Sequence, residues 1–147
     1  MKFNIIKDKM LSGNIFYYPD DYAFGTNPYP PFWNSVLVDN LEIMLDIEGR
    51  ITGVWGYCPQ TCWKKNKLYL PFFVNGGIIC DKFHEYDTHI PTRIAKNWNV
   101  FYDQDINWIR IGTENAKFDN IQVLSGLIFS LYKNNLKSVW IKLQFGE

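Results

Sequence analysis

Three thiols and two imidazoles stand near the middle of this 147-residue chain: Cys58, Cys62, Cys80, His84 and His89. Such a neighbourhood holds the ordinary makings of a tetrahedral zinc site. The spacing argues against one. A structural knuckle uses C-x2-C with a small residue that lets the backbone curl, whereas Cys58-Pro59-Gln60-Thr61-Cys62 leaves a gap of three with a proline and no glycine. The run His84-Glu85-Tyr86-Asp87-Thr88-His89 resembles a metalloprotease helix, but that motif needs histidines at i and i+4 and these lie at i and i+5. Five helical steps turn the chain by about 500°, so the imidazoles would point roughly 140° apart. On a strand they would take opposite faces. No metal and no cofactor is expected, and the cysteines read as small core hydrophobes.

Two catalytic arrangements can be written from the same residues. Cys80, His84 and Asp87 have the types of a thiol nucleophile, its base and an orienting carboxylate. His84 and His89 could act as acid and base on RNA, with Lys82 and Arg93 stabilising phosphate charge. Groups of this kind usually converge from distant segments, so their closeness along the chain is weak support. A small RNase or thiol enzyme using His84 or Cys80 is therefore an alternative, and no catalytic residue is assigned. The phosphate-binding and dinucleotide-binding glycine patterns and the G-x-S-x-G elbow are all absent. Lys64, Lys65 and Lys67 beside Trp63 and Tyr69 have the ingredients of a single-strand binding loop. Three lysines more often make a solvated loop, and no nucleic-acid partner is expected.

The elements that must position these residues follow from composition and period. Aromatic residues make up 18% of the chain and charged residues 20%, which excludes a disordered or low-complexity protein. Lys plus Arg equals Asp plus Glu at 15 each, so no global field draws the chain to nucleic acid or anionic lipid. The length suits one globular domain, residues 1–147. An odd, sparse cysteine set fits a reducing compartment. Residues 1–9 lack the apolar core of a signal peptide, and no stretch approaches the roughly 20 apolar residues of a membrane span. A cytoplasmic protein without membrane contact is expected.

The expected fold is mainly β: antiparallel hairpins curled into a barrel or sandwich, with one short helix. Leu41, Ile43, Leu45 and Ile47 alternate with Glu42, Met44, Asp46 and Glu48, the pattern of a half-buried strand. A turn at Glu48-Gly49-Arg50 leads to a second strand on which Ile51, Gly53, Trp55 and Tyr57 alternate with Thr52, Val54 and Gly56, completing a β-hairpin. Residues 127–131 and 136–142 form a similar hairpin around Lys133-Asn134-Asn135; a helix over 120–132 is its rival, disfavoured by Gly126. Short apolar runs at 68–73, 77–80, 99–102 and 108–111 add strands. Residues 91–97, opening with Pro91, predict about two turns of helix. Residues 12–34, with four prolines among eight aromatic rings, read as an ordered loop packed on the domain. The expected core is Leu41, Ile43, Leu45, Trp55, Leu70, Phe72, Trp108, Ile111, Phe129 and Trp140.

Charge is unevenly spread. Residues 11–62 carry the acids Asp20, Asp21, Asp39, Glu42, Asp46 and Glu48 against the single base Arg50, a local net charge of −5. Acids mixed with exposed rings suit a protein-binding surface: the rings anchor, and the field steers a basic partner. Asp20, Asp21 and Tyr22 in a loop, with Glu42, Asp46 and Glu48 on the polar face of a strand, are the candidate partner-binding residues. An ordinary solvated strand face beside a core-pinning loop is the plainer account of the same pattern.

At Val54-Trp55-Gly56-Tyr57-Cys58-Pro59 and Asn107-Trp108-Ile109-Arg110-Ile111-Gly112 the chain resembles small bacterial immunity proteins of contact-dependent growth inhibition systems. The likeness spans residues 36–112 and is one of texture: a compact, aromatic, β-rich chain. It implies a protein that binds one cognate toxin domain, often a nuclease, and covers its active-site surface. A glycan-binding β module, with exposed Trp and Tyr rings stacking on sugars, is a second expectation from the aromatic content.

Overall fold

Two-residue alternation builds more than half of the structure, a computed structural model that describes residues 1–81 and 90–147. Its strands are β1 (Phe3–Ile6), β2 (Leu11–Tyr18), β3 (Ala23–Asn27), β4 (Asn34–Val38), β5 (Leu41–Leu45), β6 (Ile51–Tyr57), β7 (Trp63–Lys65) and β8 (Val74–Asn75). They continue with β9 (Gly77–Cys80), β10 (Thr92–Ala95), β11 (Val100–Asp103), β12 (Trp108–Gly112), β13 (Asp119–Ser125), β14 (Leu127–Tyr132) and β15 (Asn135–Lys142). Short 3-10 turns occupy Pro19–Asp21 and Gln60–Cys62. No helix among the described residues is long and apolar enough to cross a membrane.

One large sheet runs in the order β10-β4-β5-β6-β3-β2-β13-β14-β15-β12-β11-β7, with β8 added beside β13, while β1 and β9 form a separate antiparallel pair. The large sheet curls into a half-barrel. Its far edge turns back on its middle: the Trp63 ring of β7 lies 4.9 Å from Tyr17 of β2 and 6.3 Å from Phe24 of β3. Inside the curl, Ile15, Tyr17, Phe24, Ile43, Leu45, Val54, Val123, Leu127, Phe129, Val139 and Ile141 make one continuous core. Burying a side chain of this size contributes about 1.5–3 kcal/mol, so the interior face of the sheet is the main source of stability. Tyr17 lies fully within it and donates a 2.9 Å hydrogen bond to the Cys58 carbonyl, which satisfies its hydroxyl.

Both expected hairpins form. The C-terminal one joins β14 to β15 through Lys133 and Asn134, both at positive φ, the tight two-residue turn that suits twisted antiparallel strands. In the first, the register changes partway: Leu45 faces Ile51, but Met44 faces Gly53, leaving Thr52 as an extra residue. This bulge reverses the expected faces beyond it. Val54 points into the core, and Trp55, expected in the core, points out together with Tyr57; Trp55 is 47% exposed. Ile47 falls beyond the end of β5 and is exposed as well.

Three further expectations are corrected. Residues 91–97 are not helical. Thr92–Ala95 pairs as a parallel strand with β4, and Asp39 beyond that strand accepts backbone hydrogen bonds from Asn97 at 2.5 Å and Trp98 at 3.1 Å. Two turns of isolated helix cannot match this long-range pairing. Residues 12–34 are largely strand, because their prolines fall at element ends: Pro19 opens a 3-10 turn, and Pro28, Pro30 and Pro31 follow β3. Residues 68–73 form no strand, and Leu70 and Phe72 are exposed, Phe72 by 88%. Pro71 lacks a ladder donor, and the segment is tied by side chains instead. Asp103 accepts from the Leu68 amide at 2.8 Å, and Asn120 donates to the Phe72 carbonyl at 3.1 Å. Leu41, Ile43, Leu45, Trp108, Ile111, Phe129 and Trp140 are buried as expected.

Candidate functional site

The bulge at Thr52 sets up the most distinctive surface of the molecule. Because Val54 takes the core face, Trp55 and Tyr57 stand on the opposite face of β6. On neighbouring β3 the corresponding positions are Ala23 and Gly25, whose small side chains leave a floor, while Phe24 between them goes inward. Tyr18 of β2, Tyr29 after β3, and Met44 of β5 close the rest. The result is a groove of about 510 Å³ across four strands, walled by the rings of Tyr18, Tyr29, Trp55 and Tyr57. A Cβ at position 25 would come within 3.1 Å of the Tyr18 ring, so glycine there keeps that wall in place.

Two of the rings are held from behind. Trp55 Nε1 donates a 2.6 Å hydrogen bond to Glu42 Oε2 on the adjacent strand. Tyr22, at φ 53° as it leaves the 3-10 turn, sets its ring 6.3 Å from Tyr57 at an interplanar angle of 76°, an edge-on contact. At one end of the groove lies Asp21, the one charged residue lining it among the described residues.

The expected acidic residues thus divide into two groups. Asp20, Asp21 and Tyr22 lie in and just after the turn at the Tyr57 end of the groove, and Glu42 braces Trp55. Asp46 and Glu48 sit beyond the other end of the β5–β6 pair. Asp46 Oδ1 accepts from the amides of Glu48 and Arg50 at 2.9 Å each, so it shapes the turn. Arg50 points away, pairing with Asp8 at 2.9 Å and donating to the Lys9 carbonyl at 2.6 Å. The groove itself escaped the sequence because Trp55 was assigned to the core; the available signal was the pair of small residues Ala23 and Gly25 alternating with Phe24.

The cysteines occupy different surroundings. Cys58 and Cys80 are buried, and Cys62 is exposed. Burial pushes the Cys58 thiol up to about 11 and the Cys80 thiol up to about 12, so both are neutral at physiological pH. Neither has the electropositive, accessible surroundings that make a thiolate. No cluster of three potential metal ligands occurs among the described residues. Lys82, His84, Glu85, Asp87 and His89, on which the thiol-enzyme, RNase and zinc arrangements depended, lie outside the described residues.

A second polar feature sits on the β11–β12–β15 face. The Arg110 guanidinium lies 4.9 Å from the Phe101 ring centre and 5.6 Å from that of Trp140, and pairs with Glu114 at 2.6 Å. Its Nε donates to the Gly112 carbonyl at 3.1 Å. Arg110 is thus paired, stacked and largely buried, an arrangement that locks the loop after β12. Compared with known protein families and with curated proteins, the chain matches no family model and no curated sequence.

Proposed function

We propose that this chain is a cytoplasmic, non-enzymatic binding protein of the immunity type, which neutralises a cognate toxin domain, a nuclease, by covering its active-site surface. The observation that carries this reading is the aromatic groove with carboxylates at its margin: Trp55 and Tyr57 exposed on a rigid sheet, Tyr22 beside them, and Asp20, Asp21 and Glu42 around them. Rigid, pre-positioned rings are what dominate binding energy at protein interfaces, and surrounding carboxylates complement the basic cleft of an enzyme that acts on nucleic acid. Residues 11–62 carry six acids and one base, which extends that field beyond the groove.

The test is co-expression of the chain with the C-terminal domain of a large secreted protein encoded immediately upstream of its gene. Restored growth and a purified complex in which toxin activity is blocked are expected. Turnover of RNA, DNA, peptide or ester by the purified chain, lost in a His84 or Cys80 variant, would overturn the proposal.

Glycan binding is a second reading, favoured by the same exposed rings: Tyr29, Trp55 and Tyr57 wall an open groove of about 510 Å³. Saturable binding of an oligosaccharide, lost in Trp55→Ala, would select it over the first.

A further inference from the structure

We infer that the groove receives an arginine side chain of the partner, its guanidinium stacked on the aromatic wall and paired with Asp21. This rests on the protein-binding reading and deepens it. Asp21 is exposed and lines the groove, and its carboxylate makes no hydrogen bond or ion pair with the other described residues. Of the other polar side chains at the groove, Thr26 and Glu42 are occupied. Thr26 Oγ1 donates to the Val54 carbonyl at 2.8 Å and accepts from the Val54 amide at 3.0 Å, and Glu42 takes the Trp55 indole N–H. With its N–H engaged, Trp55 offers a ligand its π face, which attracts a cation. Arg50, the one base of residues 11–62, is turned to Asp8 at the far end of the hairpin and supplies no counter-charge here.

A free carboxylate beside walls of aromatic rings selects a ligand that is flat, apolar along its stem and positively charged at its tip. Arginine meets all three conditions. Its planar guanidinium stacks on rings while its edge donates to a carboxylate, whereas the compact, strongly hydrated lysine ammonium does less of the first.

The experiment follows the Trp55 indole N–H by NMR, assigned with Trp55→Phe, while a blocked Gly-Arg-Gly peptide is added to about 50 mM, high enough for weak single-residue binding. Parallel titrations use the citrulline peptide, which has the same shape without the charge, and maltotriose. A saturable shift with the arginine peptide is expected, weakened at least about fivefold by citrulline or by Asp21→Asn, with the folded spectrum unchanged. Equal binding of citrulline, an unaffected Asp21→Asn, no saturable shift, or a response to maltotriose alone would each overturn it. Arginine binding without toxin neutralisation would uphold the groove assignment and remove the immunity proposal. Neutralisation undiminished in Asp21→Asn, with no arginine binding, would do the reverse.

Discussion

Trp55 and Glu42 face each other across β5 and β6, joined by a 2.6 Å hydrogen bond from the indole to the carboxylate on the face turned away from the core. A tryptophan so placed contributes its ring to the surface and little to the interior. Trp55→Ala is therefore expected to cost less than about 1 kcal/mol, while Trp140→Ala, which removes a buried ring, costs about 3–5 kcal/mol. Thermal denaturation of the two variants side by side checks this contrast.

Gly56 lies at φ 130°, and a Cβ there would stand 2.5 Å from the Asn40 carbonyl oxygen. Neither the dihedral nor the backbone contact can be relieved by moving a flexible side chain. Gly56→Ala should destabilise the protein by about 1–3 kcal/mol or more, measured by urea denaturation, and should disturb the groove floor beside Trp55.

Asp39 holds the outer strand of the sheet through both carboxylate oxygens, which accept from the Asn97 and Trp98 amides. Asp39→Ala leaves these donors without their partner and should cost about 1–3 kcal/mol. Hydrogen exchange in Thr92–Ala95 should accelerate ahead of exchange in β14 and β15, which lie across the sheet.

Alkaline pH should loosen the core. Burial pushes Tyr17 from 10.0 to about 12, with Cys58 beside it adding to the rise, and raises Cys80 from 9.0 to about 12. In both cases the neutral form is favoured in the folded state, so above the unfolded values the unfolded chain binds fewer protons and stability falls as pH rises. Denaturation midpoints should be level through neutral pH and decline from about pH 9 toward 12. Cys80→Ala should make that decline shallower.

Reversing Asp20 and Asp21 to Lys should slow association with a basic toxin and flatten its salt dependence, because charges at an interface margin act mainly on encounter. Tyr22→Ala, which removes the ring packed against Tyr57, should speed release. Stopped-flow association and surface-based dissociation measurements separate the two effects. Wild-type behaviour of both variants would place the interface elsewhere, with residues 63–67 the next candidate.

What the sequence determined by itself was local. Alternation in Leu41–Leu45 and in β14 and β15, with a turn that accepts positive φ at Lys133 and Asn134, was enough for a β-rich sheet of hairpins and most of its buried residues. Such signals depend only on neighbours two residues apart. Tertiary structure decided the rest. Thr52 is a bulge because of how β5 and β6 meet, and that single extra residue moved Trp55 from core to surface. Thr92–Ala95 became a strand because β4, more than fifty residues earlier, offered its edge. The groove gathers Tyr18, Asp21, Tyr29, Met44 and Trp55 from separate elements. Register within a hairpin is settled by the whole set of contacts competing at once, and a non-local pairing such as that of Thr92–Ala95 with β4 has partners that no short window of sequence contains.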